Sequence, residues 1–142
     1  MQNQNSLSDT LHRHLGAVLP LLARKAGALD RGQATVLAEC VDLRVRMRAA
    51  LCAYQVFKHD VIFDPAVRSN DVERAMLARE MKVNCIAAGE AFRRHIKQWR
   101  PEHIQHDWAR YEGAAQLTLD RLHGHIDVER LGIAKLLHRY GG

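Results

Sequence analysis

The chain has 142 residues, 47% of them apolar, with only three prolines and a formal net charge of +5. Its length suits one domain that buries roughly two thirds of its unfolded surface without staples, and this composition excludes a largely disordered chain. No run of about 18 apolar residues exists, which excludes a transmembrane helix, and the polar start Met1-Gln-Asn-Gln-Asn5 is not a signal peptide, so the expected location is the cytoplasm.

Cys40, Cys52 and Cys85 lie far apart without C-x-x-C spacing, and they read as reduced, buried small hydrophobes. Lys and Arg are interspersed with Asp and Glu, so nucleic acid is not indicated. The densest basic cluster, Arg93, Arg94, Lys97 and Arg100, has only Trp99 beside it and reads as a solvated helix end near its C-terminal dipole.

The first helix is predicted to begin near Ser6, where Ser6 and Asp9 have the spacing of a capping box, with residues 1–5 flexible before it. Leu7, Leu11, Val18 and Leu22 form its apolar stripe, His14 falls on that stripe, and Pro20 predicts a kink. The second helix follows Asp30-Arg-Gly-Gln33, read as another cap, and is expected to run to about Phe63, where Asp64-Pro65 stops it. Val36, Cys40, Leu43, Met47, Ala50, Tyr54, Phe57 and Val61 alternate steps of four and three, the seam of a helix packed nearly parallel to its neighbours.

Asn70 with Glu73 offers a third cap, and Ala78, Met81, Cys85, Ala88, Phe92 and Trp99 make a third stripe that ends before Pro101. A fourth stripe runs through Tyr111, Ala115, Thr118, Leu122, His125, Glu129, Gly132, Leu136 and Tyr140 and stops at Gly141-Gly142. No period-2 segment competes with these helices. Long helices on short connections pack antiparallel, so the predicted fold is all-α: an up-and-down antiparallel four-helix bundle forming a single domain over 1–142.

Polar residues on apolar stripes are the informative ones. His125-Ile-Asp-Val-Glu129 puts an imidazole and a carboxylate one turn apart on the inward face of the fourth helix. Such a pair serves either of two ends. It makes an intrahelical hydrogen bond at the end of the bundle, or it offers nitrogen and oxygen to one metal ion. An antiparallel bundle brings the first and last helices together, which makes His14 a candidate third ligand. Gln55 and His59 lie on a flank of the second helix, rotated off the Tyr54-Phe57 seam. His59 is there a solvated histidine beside Lys58 and Asp60, unless a bulge in the last turn rotates it inward.

With these motifs the sequence resembles the hemerythrin-like family, the HHE cation-binding domains, from about Ser6 to Tyr140. Gln55-Val-Phe-Lys-His59-Asp60-Val-Ile-Phe63-Asp64-Pro65 is similar to the H-x-x-x-E motif of the family's second helix, and His125-Ile-Asp-Val-Glu129 to that of its fourth. His14 matches the ligand of the first helix. Gln55 stands where the family has a His, His59 where it has the bridging carboxylate, and Met81 where the third helix supplies another His.

The resemblance implies a non-haem iron cofactor, and it makes His14, His59, His125 and Glu129 the candidate metal ligands. Exchanging a bridging carboxylate for imidazole removes a bridge and a negative charge. Three arrangements follow: one Fe or Zn ion on these four ligands, a di-iron site with unusual ligands, or a bundle that has lost metal. The implied function is oxygen, nitric oxide or redox sensing or iron handling, with a metal ion and a diatomic gas as partners. The alternative is a metal-free interaction module that binds a protein partner or forms a homodimer. No nucleophile elbow, phosphate loop or Cys-His signature is present, so no enzyme is expected, and the surroundings of His95 lack the small residues that a phosphotransfer bundle needs.

Overall fold

A computed structural model describes residues 4–139, and the side chains of residues 6–138. The expectations for residues 1–3, for Tyr140 and for the Gly141-Gly142 stop lie outside the described residues. The chain forms α1 (Gln4–Arg31), α2 (Gln33–Phe57), a π-helical turn (Lys58–Phe63), α3 (Asp64–Val67), α4 (Val72–Gln98), α5 (Pro101–His106), α6 (Trp108–Ala134) and a second π-helical turn (Lys135–Arg139). All-α is therefore the fold class, and no strand occurs among the described residues.

Several predicted boundaries move, each for a local reason. α1 starts at Gln4, so Ser6 lies inside the helix, where its carbonyl accepts a hydrogen bond from Thr10 Oγ1 at 3.0 Å. The helix continues through the exposed Pro20. Asp30 and Arg31 are the last turn of α1 and cap nothing. Gly32 alone makes the connection at φ 105, a left-handed conformation that costs glycine little, and its N–H reaches the carbonyls of Ala28 and Leu29 at 3.1 and 3.2 Å.

Asp71, not Asn70, caps α4: its carboxylate accepts the Arg74 N–H at 3.1 Å, an anion at the positive end of the helix. Asp107 does the same for α6 at 3.4 Å. Pro65 does not stop the second helical stretch. It occupies the first turn of α3, where a missing N–H costs nothing, and the chain turns only at 68–70.

The π turn has the largest structural consequence. The α2 seam is buried at Val36, Cys40, Leu43, Met47, Tyr54 and Phe57. The wider turn that follows then rotates the register. Val61, the next seam residue by sequence, is 36% exposed, while Lys58, Ile62 and Phe63 are buried. Cys40 and Cys85 are buried as expected, but Cys52 is exposed, because it falls between the seam positions Ala50 and Tyr54. α5 was not anticipated; it anchors through the fully buried Ile104.

α1 packs along α2, α4 along α6, and α1 also meets α6. α2 and α4 make no comparable approach, and a cleft opens between them. The core divides into a group around Leu22, Val36, Trp99 and Tyr111 and a group around Phe57, Phe63, Met81 and Leu136.

Candidate functional site

Glu129, 3% exposed, points from α6 into the core. The end of α2 supplies Tyr54, and the π turn rotates Lys58 to the same spot, 4% exposed. Tyr54 Oη donates to Glu129 Oε1 at 3.0 Å and Lys58 Nζ donates to the same oxygen at 2.8 Å. The ammonium also lies 3.9 Å from the centre of the Tyr54 ring, a cation-π contact.

The other carboxylate oxygen faces different chemistry. His125, one turn earlier on α6, places Nε2 3.2 Å from Glu129 Oε2, but the two are not aligned for a hydrogen bond and neither buried atom has another partner. Cys85 of α4 completes the group: its sulfur, a ring nitrogen of His125 and an oxygen of Glu129 all lie within 4.8 Å of one another.

The electrostatics follow from this packing. Burial pushes the Glu129 carboxyl up, but His125 and Lys58 outweigh it and hold the group below the usual carboxylate range. The Cys85 sulfur and the Glu129 carboxylate push His125 up to about 9, against its burial and Lys58. Burial and the adjacent Glu129 raise the Tyr54 phenol well above its ordinary value.

Of the four residues singled out by sequence, His125 and Glu129 lie side by side, 3.2 Å apart. His14 is half-buried and stacks on Phe57 at 4.9 Å, with its centroid 6.1 Å from that of Tyr54. His59 meets Phe63 edge-on at 5.4 Å, and its Nε2 is buried without a hydrogen-bond partner; burial, then Lys82 and Lys58, lower its pKa. Neither belongs to the Cys85, His125 and Glu129 group. Met81 is buried and lines a cavity of about 250 Å³ with His125, Glu129 and Gly132. Gln55 lies over Gly89 of α4.

Sequence reading missed Cys85, Tyr54 and Lys58. Cys85 and Tyr54 sit on predicted stripes and were signalled by register. Lys58 carries no such signal, because only the π turn brings it inside.

A second polar group lies nearer the α1–α2 connection. Lys25 Nζ donates to Tyr111 Oη and lies 5.1 Å from the centre of its ring, Arg44 Nη2 donates to the Trp99 carbonyl, and His95 stacks on Tyr111 at 5.9 Å. Burial pushes Lys25 down to about 8 and Tyr111 up to about 12. Burial, with Lys25 and Arg44 nearby, pushes His95 down to about 4. Among the described residues no carboxylate pairs with Lys25 or Arg44.

The cleft between α2 and α4 has a volume of about 670 Å³ and opens onto Tyr54, Lys58, Cys85 and His125. No helix among the described residues is long and apolar enough to cross a membrane. No protein-family model, curated protein or solved structure matches this chain.

Proposed function

We propose that the protein is a hemerythrin-like, up-and-down antiparallel four-helix bundle of the cytoplasm that binds one transition-metal ion at Cys85, His125 and Glu129. Its role is metal-dependent sensing or metal handling rather than enzymatic turnover. The observation that carries this reading is the convergence of the Cys85 sulfur, His125 and Glu129 within 4.8 Å, with His125 Nε2 and Glu129 Oε2 buried at ion-pair distance, 3.2 Å, but without a hydrogen bond. Buried polar atoms without hydrogen bonds are costly, and a cation shared by thiolate, imidazole and carboxylate satisfies all three donors. Such a mixed donor set suits zinc or iron.

When bound, the ion supplies an electrophilic centre accessible from the cleft that Cys85 and His125 line. The chain does the rest. Lys58 and Tyr54 grip Glu129 Oε1 and so fix the orientation of Oε2, the second-sphere contact by which proteins hold ligands in place. Lys58 also favours one ion over a carboxylate-bridged pair, because the oxygen that would bridge already accepts two hydrogen bonds and a positive charge stands beside it.

That ammonium is also the observation behind a second reading, the metal-free interaction module. Lys58 balances Glu129 internally, so the core holds its carboxylate without an ion.

Elemental analysis of untagged protein purified without chelator, followed by Zn(II) and anaerobic Fe(II) titration monitored by thermal denaturation, separates these readings. One equivalent of metal and a melting temperature that climbs with metal concentration are expected. Cys85→Ser and His125→Gln should abolish the climb, while His14→Gln and His59→Gln retain it. Loss of the climb in His14→Gln, His59→Gln and His125→Gln but not in Cys85→Ser would assign the ion to His14, His59, His125 and Glu129. Two irons with an oxo-type charge-transfer band would establish a di-iron centre, and no binding at all would leave the interaction module.

A further inference from the structure

The charges around the α2–α4 cleft carry an inference independent of the metal reading. Its charged lining is basic, from Arg44, Arg48, Lys58, Arg93 and Lys97, and no Asp or Glu contributes to the wall. Arg44 and Arg48 lie one turn apart on α2, and Arg93 and Lys97 one turn apart on α4. Contacts between the helices set their relative level: Arg44 reaches the Trp99 carbonyl, and Gln55 lies over Gly89. Arg93 Nη1 lies at Gly89 beside Gln55, so the cations are strung along the cleft from that level to Arg44 at Trp99.

None of these four side chains has a carboxylate within ion-pair distance among the described residues, and Arg44 Nε is buried without a hydrogen-bond partner. Like charges strung along one wall without a counter-charge repel one another, an arrangement that an anion relieves. Next to them the wall turns apolar, with Leu51 from α2, Phe92 from α4, and Leu122 and Ile126 from α6.

We infer that this cleft binds a single-chain amphiphilic carboxylate, its head group held among the basic side chains Arg48, Arg93 and Lys97 and its hydrocarbon tail over Leu51, Phe92, Leu122 and Ile126. Size supports a small molecule over a protein segment. The cleft volume of about 670 Å³ falls within the roughly 300–1,000 Å³ of small-molecule sites. Three turns of an amphipathic helix about 10 Å wide would fill roughly 1,200 Å³.

Dodecanoate below its micellar concentration is the probe, titrated calorimetrically into the full chain, with dodecyltrimethylammonium, acetate and an acidic amphipathic peptide as comparisons. Dodecanoate should bind with one-to-one stoichiometry, more weakly at high salt, and at least tenfold tighter than either small-molecule comparison. Arg48→Glu and Arg93→Glu should each weaken it at least tenfold, while Arg121→Glu, the same charge change on an exposed face of α6, leaves it unaltered. The variants' melting temperatures verify that they are folded. Equal binding of the cationic amphiphile would reduce the cleft to an unselective apolar groove and overturn the inference. Tight acetate binding would show that the tail is irrelevant, and preference for the peptide would make the cleft a protein-docking surface; either result also overturns it. All titrations use chelated protein, so a carboxylate bound to an ion at Cys85 and His125 cannot be mistaken for head-group binding, and a failure here is distinguishable from a failure of the metal site.

Discussion

Two polar groups interrupt one helical core, separated by about 20 Å along α2 between Arg44 and Lys58 at 1.5 Å per residue. Around Glu129 a buried carboxylate is met by an ammonium, a phenol and an imidazole, and the packing favours charged forms: Glu129 is held low and His125 rises to about 9. Around Tyr111 two cations and an imidazole meet a phenol and a backbone carbonyl, and the packing favours neutral forms, with Lys25 lowered to about 8 and His95 to about 4. Burial is similar at the two levels, so burial alone does not set the sign of a shift. What decides is whether an opposite charge shares the site.

The strongest way to break that contrast is to remove the one carboxylate buried among the described residues, Glu129. Glu129→Leu strands Lys58 and leaves His125 without its anion, and should cost about 3–5 kcal/mol in urea denaturation at pH 7. Tyr111→Phe removes only a neutral hydrogen-bond partner of Lys25 and should cost about 1 kcal/mol. Comparable losses at the two sites would contradict the assignment of charge. Because most of the first loss reflects an uncompensated ammonium, Glu129→Leu combined with Lys58→Met should recover more than half of it.

Lysine truncation sharpens the contrast by sign. Lys58→Met strands the carboxylate and should destabilise by about 2–3 kcal/mol. Lys25→Met removes a cation that burial already disfavours, and it should be neutral or stabilising by up to about 1 kcal/mol at pH 6. Two chemical denaturation curves decide the matter, and a loss in both variants would mean that Lys25 has a counter-charge after all.

Sequence pattern made part of the Glu129 level legible and concealed the rest. The His125 and Glu129 pair followed from a spacing of four on an apolar stripe, and the α2 seam held through Phe57 because 3.6-residue periodicity needs no tertiary information. Past Phe57 the pattern failed, since a π turn changes the number of residues per turn without leaving a mark in composition. That one irregularity exposed Val61 and buried Lys58. Caps slipped by a residue or more for a related reason: Asn70 and Asp71, like Ser6 and its neighbours, are near-equivalent candidates until the backbone chooses among them. Cys85 was visible as a position and invisible as a ligand, because a cysteine on a helix stripe reads first as a small hydrophobe.

The two levels should also respond oppositely to pH in metal-free protein. His95, lowered to about 4 in the fold, takes up a proton on unfolding up to its ordinary value of about 6.5, so stability rises with pH across that window. His125, raised to about 9, releases a proton on unfolding above about 6.5, so its contribution is complete below that pH and is lost as pH climbs to about 9. Urea midpoints measured from pH 4 to 9 should flatten on the acid side in His95→Phe and on the alkaline side in His125→Phe. Slopes of the same sign in both windows would sink the comparison.

The smallest expected difference lies in packing and uses two glycines of α6. Gly113 stands near Tyr111 with nothing within 4 Å of where a Cβ would lie, so Gly113→Ala should gain about 0.5–1 kcal/mol from helix propensity alone. At Gly132, beside Glu129, the same Cβ would fall 2.6 Å from both Sδ and Cε of Met81. The thioether must then swing away, and although methionine has the torsional freedom to do so, displacing a buried side chain should cancel the propensity gain. The two melting temperatures should therefore differ by about 3 °C for a domain of this size. Equal gains would mean that Met81 moves freely into the adjoining cavity of about 250 Å³, and that the Glu129 level owes its order to its ion pairs rather than to close packing.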